Sequence, residues 1–186
     1  MPEAVRSSGE QRVCVIGAGP CGLTALKNLL RAGRRNVVCY EEHSSIGGNW
    51  AFTDDPQRAS VHASAQSISS RRMSSFDDFP MPKTYPDFPS HRQLLAYFAD
   101  YARAFQLGPH VRLGSRVEQC ELGGDGRWTV RVSANGKTRA ERFDSLLVCS
   151  GHHREPRSPD VARTARGSRA RAERARAAPQ RPRRAR

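Results

Sequence analysis

Gly17-Ala18-Gly19-Pro20-Cys21-Gly22 sets three glycines in the spacing G-x-G-x-x-G, and an acid, Glu41, follows 19 residues after the last of them. Each residue type suits a physical task. The first glycine permits a tight turn, and the second lets backbone approach a pyrophosphate with no Cβ in the way. The third allows a helix to pack closely on a strand. The N-terminus of that helix, opened by Pro20 and Cys21, then offers free N–H groups and partial positive charge to an anion. Glu41 is placed to accept hydrogen bonds from ribose hydroxyls, and its charge repels a 2′-phosphate. A glycine triplet alone is a weak signal, because glycine-rich turns of nucleotide-free α/β domains produce it too.

The flanking residues supply the context that the motif needs. Residues 12–16 are a β-branched run suited to a buried parallel strand. Residues 21–31 carry Leu23, Leu26, Leu29 and Leu30 at helical spacing, with Gly33 as a stop. Residues 36–40 are a second apolar run that ends on Glu41. Strand, helix and strand make a βαβ unit, and its ligand is a dinucleotide. Ile46-Gly47-Gly48-Asn49-Trp50 comes next. Its glycines let backbone approach a ligand and Trp50 offers a flat face, a plain turn being the alternative.

Residues 43–90 are irregular, and so long a loop in a compact domain points to a functional segment. Ser90 is placed as the N-cap of a helix with Leu94, Leu95, Phe98, Tyr101, Ala102 and Phe105 on one face. A strand is expected over 111–113. Residues 116–122, 127–132 and 137–143 alternate, separated by Gly123-Gly124-Asp125-Gly126 and Asn135-Gly136, which spells a three-stranded meander. Residues 145–149 form a last buried strand, ending at Ser150-Gly151. The fold class is therefore α/β, a Rossmann-like parallel sheet with an inserted meander. That insertion is more typical of FAD-binding folds than of plain NAD domains, so FAD is the expected ligand.

Composition divides the chain. Of 186 residues with a net charge of +13, residues 152–186 hold 12 Arg, 8 Ala and 4 Pro and supply +9. A segment with only Val161 as a sizeable aliphatic cannot bury a core. The expected organisation is a disordered lead over 1–10, a partial FAD-binding domain over 11–156 and a disordered basic tail over 157–186. The start does not resemble a signal peptide and no stretch approaches a membrane span. Five cysteines without CxxC spacing read as reduced core or near-core thiols, with no metal site, in a cytoplasmic protein. His43, His62, His91 and His110 read as isolated surface or capping residues. No catalytic residue is identified.

Val15-Ile16-Gly17-Ala18-Gly19-Pro20-Cys21-Gly22-Leu23, with Glu41 and Ile46-Gly47-Gly48-Asn49-Trp50, resembles the N-terminus of class B flavoprotein monooxygenases, nearest to the flavin-containing monooxygenases. The similarity runs on through Met73-Ser74-Ser75-Phe76-Asp77-Asp78-Phe79-Pro80 and Tyr85-Pro86-Asp87-Phe88-Pro89-Ser90-His91 to Leu147-Val148-Cys149-Ser150-Gly151-His152. The resemblance implies an FAD enzyme that uses NADPH and O₂ to oxygenate soft nitrogen or sulfur nucleophiles or ketones. It places the pyrophosphate on residues 17–22 and the ribose on Glu41. Asn49 and Trp50 fall near the flavin and Val117 at the adenine through its backbone, with Gly48 and Gly151 as further cofactor-binding residues. Ile68-Ser69 stands where many members have Asn-Ser beside the flavin. Isoleucine neither donates nor accepts there.

The family's second glycine fingerprint, which binds NADPH, and its linking F-x-G-x-x-x-H-x-x-x-[YF] signature do not occur in these 186 residues. The Arg/Ala/Pro run is what a shifted reading frame of GC-rich DNA produces, so a truncated or frameshifted reading of a longer monooxygenase is the leading expectation. Nucleic acid is not an expected partner, because the tail lacks aromatics and a docking motif. Three functions stand: an FAD-binding part without turnover, a small FAD oxidoreductase reduced by a partner, and a non-catalytic dinucleotide module. Family FAD domains close with later strands, so an exposed sheet edge is expected.

Overall fold

The computed structural model describes residues 10–55 and 58–152. The expectations for residues 1–9 and for the basic tail lie outside the described residues. Two sheets and three helices carry the architecture. Strands β1 (Val13–Ile16), β2 (Val37–Tyr40), β3 (Val111–Arg112) and β7 (Ser145–Val148) form a parallel sheet in the order β3-β2-β1-β7. Strands β4 (Ser115–Leu122), β5 (Trp128–Ala134) and β6 (Lys137–Phe143) form an antiparallel meander. The helices are α1 (Pro20–Arg31), α2 (Arg71–Ser74) and α3 (His91–Ala104).

β1 and β2 are short because each is apolar for only four residues before Gly17 or Glu41 ends it. β1 sits between β2 and β7, with Val13 opposite both Val37 and Ser145. Val13, Val15, Leu23, Leu26, Val37 and Cys39 join α3 residues Leu94, Tyr97, Phe98 and Tyr101 in one core. On the sheet's other face, Cys14 and Tyr40 meet Val130, Val132 and Phe143 of the meander in a second core. Burial pushes the thiols of Cys14 and Cys39 up to about 12, so both act as small apolar groups. β7 forms the expected exposed edge: Leu146 and Leu147 are half-buried and Val148 is exposed.

The 43–90 segment is fastened rather than slack. Ser90 caps α3 in a capping box with Gln93. Phe76 and Phe79 stack against Tyr97 and Tyr101, and the Tyr97 hydroxyl accepts from Phe76 N at 2.8 Å while donating to Phe79 O at 2.5 Å. The buried Lys27 of α1 donates to Asp78 at 2.5 Å and lies over the Phe105 ring. One histidine departs from the sequence expectation. His91 is buried, with Nε2 3.1 Å from Ala63 O and its ring tilted against Phe52. The reason is that residues 65–66 fold over the start of α3, where His91 N donates to Ala65 O at 3.0 Å.

A polar joint links the two sheets. Glu141 of β6 accepts from the Tyr40 hydroxyl at 2.7 Å, from Arg139 at 2.7 Å and from Arg12 at 2.9 Å. Burial raises its carboxyl, but the bonds from Arg139, Tyr40 and Arg12 outweigh that and hold it at about 2, below the ordinary 4.5. A depressed folded-state pKa gives stability that is present above 4.5 and lost as pH falls towards 2. Chemical denaturation across that window should show wild-type stability falling more steeply with acid than in Glu141→Gln. In the second core, Phe143→Ala should cost about 3–5 kcal/mol by the same measurement.

Candidate dinucleotide site

The strand order itself selects a place for a ligand. β1, β2 and β3 step outward in one direction, and β7 then returns to the far side of β1. In open α/β sheets ligands bind beyond the carboxyl ends of the strands where the order reverses. Here that place is between the ends of β1 and β7, where Gly17 and Cys149 leave the sheet. Gly17 N donates to Tyr40 O at 2.7 Å and Cys149 N to Ile16 O at 2.8 Å. Gly17 has φ +96°, and a Cβ on it would stand 2.5 Å from Cys149 O.

The turn is tight enough that α1 begins directly against it. A Cβ on Gly22 would overlap the Gly17 carbonyl oxygen and lie 3.6 Å from Cys149 Cβ. Only glycine fits at 22. The helix start also differs from its neighbours. Ser70 and Ser90 cap α2 and α3 through their side chains, whereas α1 begins at Gly19 with no side-chain cap. Its positive end is left for an anion from outside. Pro20 sits in the first turn, where its missing N–H costs nothing, and Cys21 is exposed.

Glu41 closes the second side of the turn. It is buried, and its Oε2 accepts from Ala18 N at 2.7 Å while Oε1 accepts from His43 N at 2.9 Å. The carboxylate that the sequence assigns to a ribose thus also shapes the fingerprint loop. Each oxygen keeps a second lone pair for a ligand hydroxyl. Ser115 N donates to Glu41 O at 2.8 Å, which fixes the start of β4 beside it. Val117 lies two residues further along β4, an edge strand whose register shifts just after it.

The third wall is the 3-10 turn Gly48–Trp50. Gly47 N donates to Ala18 O at 2.9 Å, and a Cβ on Gly48 would stand 3.1 Å from Gly19 Cα. Gly47, which with Gly48 the sequence marks for backbone approach to a ligand, completes the cradle together with Ser115 and His43, and the sequence marks neither of these two as a site residue. The double glycine was the available signal for Gly47. Asn49 O accepts from Val61 N at 2.8 Å, and Trp50 packs partly on the main core.

The structure therefore brings together Gly17, Ala18, Gly19, Pro20, Gly22, Glu41 and Gly48, with Asn49 and Trp50 on the adjoining turn. Ile68 and Ser69 sit on a separate segment. Ser69 is held by Ser67 and Ser74, and Ile68 is fully exposed. Gly151 is exposed beyond β7 at φ +73°.

Comparison with known proteins agrees with the fold. The family model for flavin-binding monooxygenase-like proteins matches residues 10–164. Flavin-containing monooxygenase 5 of Rattus norvegicus is 36% identical over 156 residues, covering 81% of this chain and 29% of the relative. The S-allyl-L-cysteine S-oxygenase structure from Allium sativum superposes with a TM-score of 0.74 at 30% identity, over 81% of this chain and 38% of that one. An oxidized steroid monooxygenase bound to NADP superposes with a TM-score of 0.64 at 25% identity, over 76% of this chain and 26% of that one. The chain thus spans about 29% of the length of such a curated relative.

The steric reading has a direct check. Gly22→Ala should lower stability by more than about 2 kcal/mol, because the Gly17 backbone cannot move aside without parting β1 from β7. Gly108→Ala, where a Cβ meets open space, should stay within about 0.5 kcal/mol of wild type. Urea unfolding of the two variants distinguishes them.

Proposed function

The chain belongs to the flavin-binding monooxygenase-like family, and on that premise we propose that it is the FAD-binding part of an NADPH- and O₂-dependent monooxygenase acting on soft nitrogen or sulfur nucleophiles or ketones. The observation that carries the proposal is the uncapped start of α1 at the reversal of strand order, walled by glycines whose Cβ positions are taken by backbone. A side-chain cap at Gly19 would compete for the anion. The cradle fits a pyrophosphate.

In this reading residues 17–22 hold the pyrophosphate and Glu41 holds the ribose. The Val117 backbone meets the adenine. Gly48, Asn49 and Trp50, with Ile68 and Ser69, line the flavin side, and Gly151 borders the mouth. FAD, when bound, supplies the redox and oxygen-transfer chemistry. The chain's own residues bind and orient it and keep water from it. Support for NADPH as reductant comes from the NADP-bound neighbour and from the family.

The proposal divides the chain into a partial FAD-binding domain over 11–156 and a basic tail over 157–186. One glycine fingerprint occurs in these 186 residues. The chain by itself then binds FAD without turnover. A cytoplasmic setting is part of the same reading, supported by the use of Cys14 and Cys39 as buried core thiols. Among the described residues, no helix is long and apolar enough to cross a membrane.

The purified chain should be yellow and release FAD on denaturation, and NADPH should leave its flavin absorbance unchanged. A colourless chain that FAD does not stain would overturn the proposal. Bleaching by NADPH would retain the FAD site and overturn the lack of turnover.

A further inference from the structure

We propose that Leu95 is a positioning residue for the cofactor, bracing the Gly48–Trp50 turn from α3 so that the flavin half of FAD meets a fixed wall; this rests on the FAD reading above. The wall needs a brace because of its own residues. Gly47 and Gly48 sit at φ +109° and +56°. Two glycines in succession give the chain more backbone freedom than other residues would. A wall built on them keeps one conformation only where neighbouring contacts hold it there.

Part of that support comes from the fingerprint, where Gly47 N donates to Ala18 O at 2.9 Å and Gly48 lies against Gly19. The rest comes from α3. A Cβ on Gly47 would stand 2.5 Å from Leu95 Cδ1, so the leucine already touches the Gly47 backbone. Trp50 N donates to Gly47 O at 3.2 Å, which carries the contact into the turn. Leu94, the residue before, has a different task and is buried in the main core. Leu95 is half-buried and borders an open cleft of about 420 Å³, beside Phe52 and Ala96. Shortening it there opens no sealed cavity and costs the core little. What it removes is the contact on Gly47.

The sequence puts Leu94 and Leu95 on one apolar face of the helix. Adjacent helical residues point about 100° apart, so the two leucines reach different neighbours. One fills the core, and the other meets the double-glycine turn.

The test compares the full chain as wild type, Leu95→Ala, Leu95→Met and Leu94→Ala. FAD and ADP are titrated into each, and the melting temperature is taken without ligand. Leu95→Ala should bind FAD about ten-fold more weakly, with ADP affinity unchanged because ADP carries no flavin. Its ligand-free melting temperature should stay close to wild type. Leu95→Met, which refills the contact, should restore FAD affinity. Leu94→Ala should do the reverse, lowering the melting temperature while the folded protein keeps its FAD affinity. FAD affinity unchanged in Leu95→Ala, or ADP affinity weakened as much as that of FAD, would overturn the inference while leaving the FAD reading intact. A wild-type chain that does not bind FAD would overturn both.

Discussion

The carbonyl oxygen of Gly17 occupies the space where any residue other than glycine at position 22 would carry its Cβ. That close approach sets the rest. It lets α1 start directly on the end of β1, beside Cys149 at the end of β7. It aims the helix N-terminus at the point where the strand order reverses. Because the residue before the helix is Gly19, no side chain answers the helix's positive end. The other two α-helices among the described residues are capped by serine, and this one is left open. The geometry leaves a helix end without a cap, where an anion is favoured.

Two further constraints hold that site in place. The buried Glu41 ties Ala18 of the turn to His43 beyond β2, and its backbone receives Ser115 at the start of the meander. One residue therefore connects the fingerprint, the central sheet and the second sheet. On the opposite side, Phe76, Phe79, Tyr97 and Tyr101 bind the 43–90 segment to α3. Leu95 of the same helix packs so closely on Gly47 that a Cβ there would meet it at 2.5 Å. The long segment can then present Gly48–Trp50 to the cradle as a fixed wall.

Much of this was legible in the residues. The βαβ unit is readable because apolar runs, leucine spacing and glycines agree at every level, and the meander because its turns are Gly-rich at regular intervals. Ser90 announces its helix through the capping box with Gln93. What was not legible depends on folding at long range. His91 looks like a surface residue beside a cap, and is buried only because residues 65–66 close over it. The double duty of Glu41 follows from where Ala18 and His43 arrive in space, and β3 shrinks to two residues because Gly114 turns the chain towards β4.

On the proposed function, recognition resides in the adenosine diphosphate half of FAD, through the glycine turn, the open helix end and Glu41. Competition at equilibrium tests it most directly, with FAD bound to the full chain and either ADP or FMN added as displacing ligand. ADP should displace FAD, while FMN, which lacks the adenosine half, should not. Displacement by FMN with no effect of ADP would contradict it.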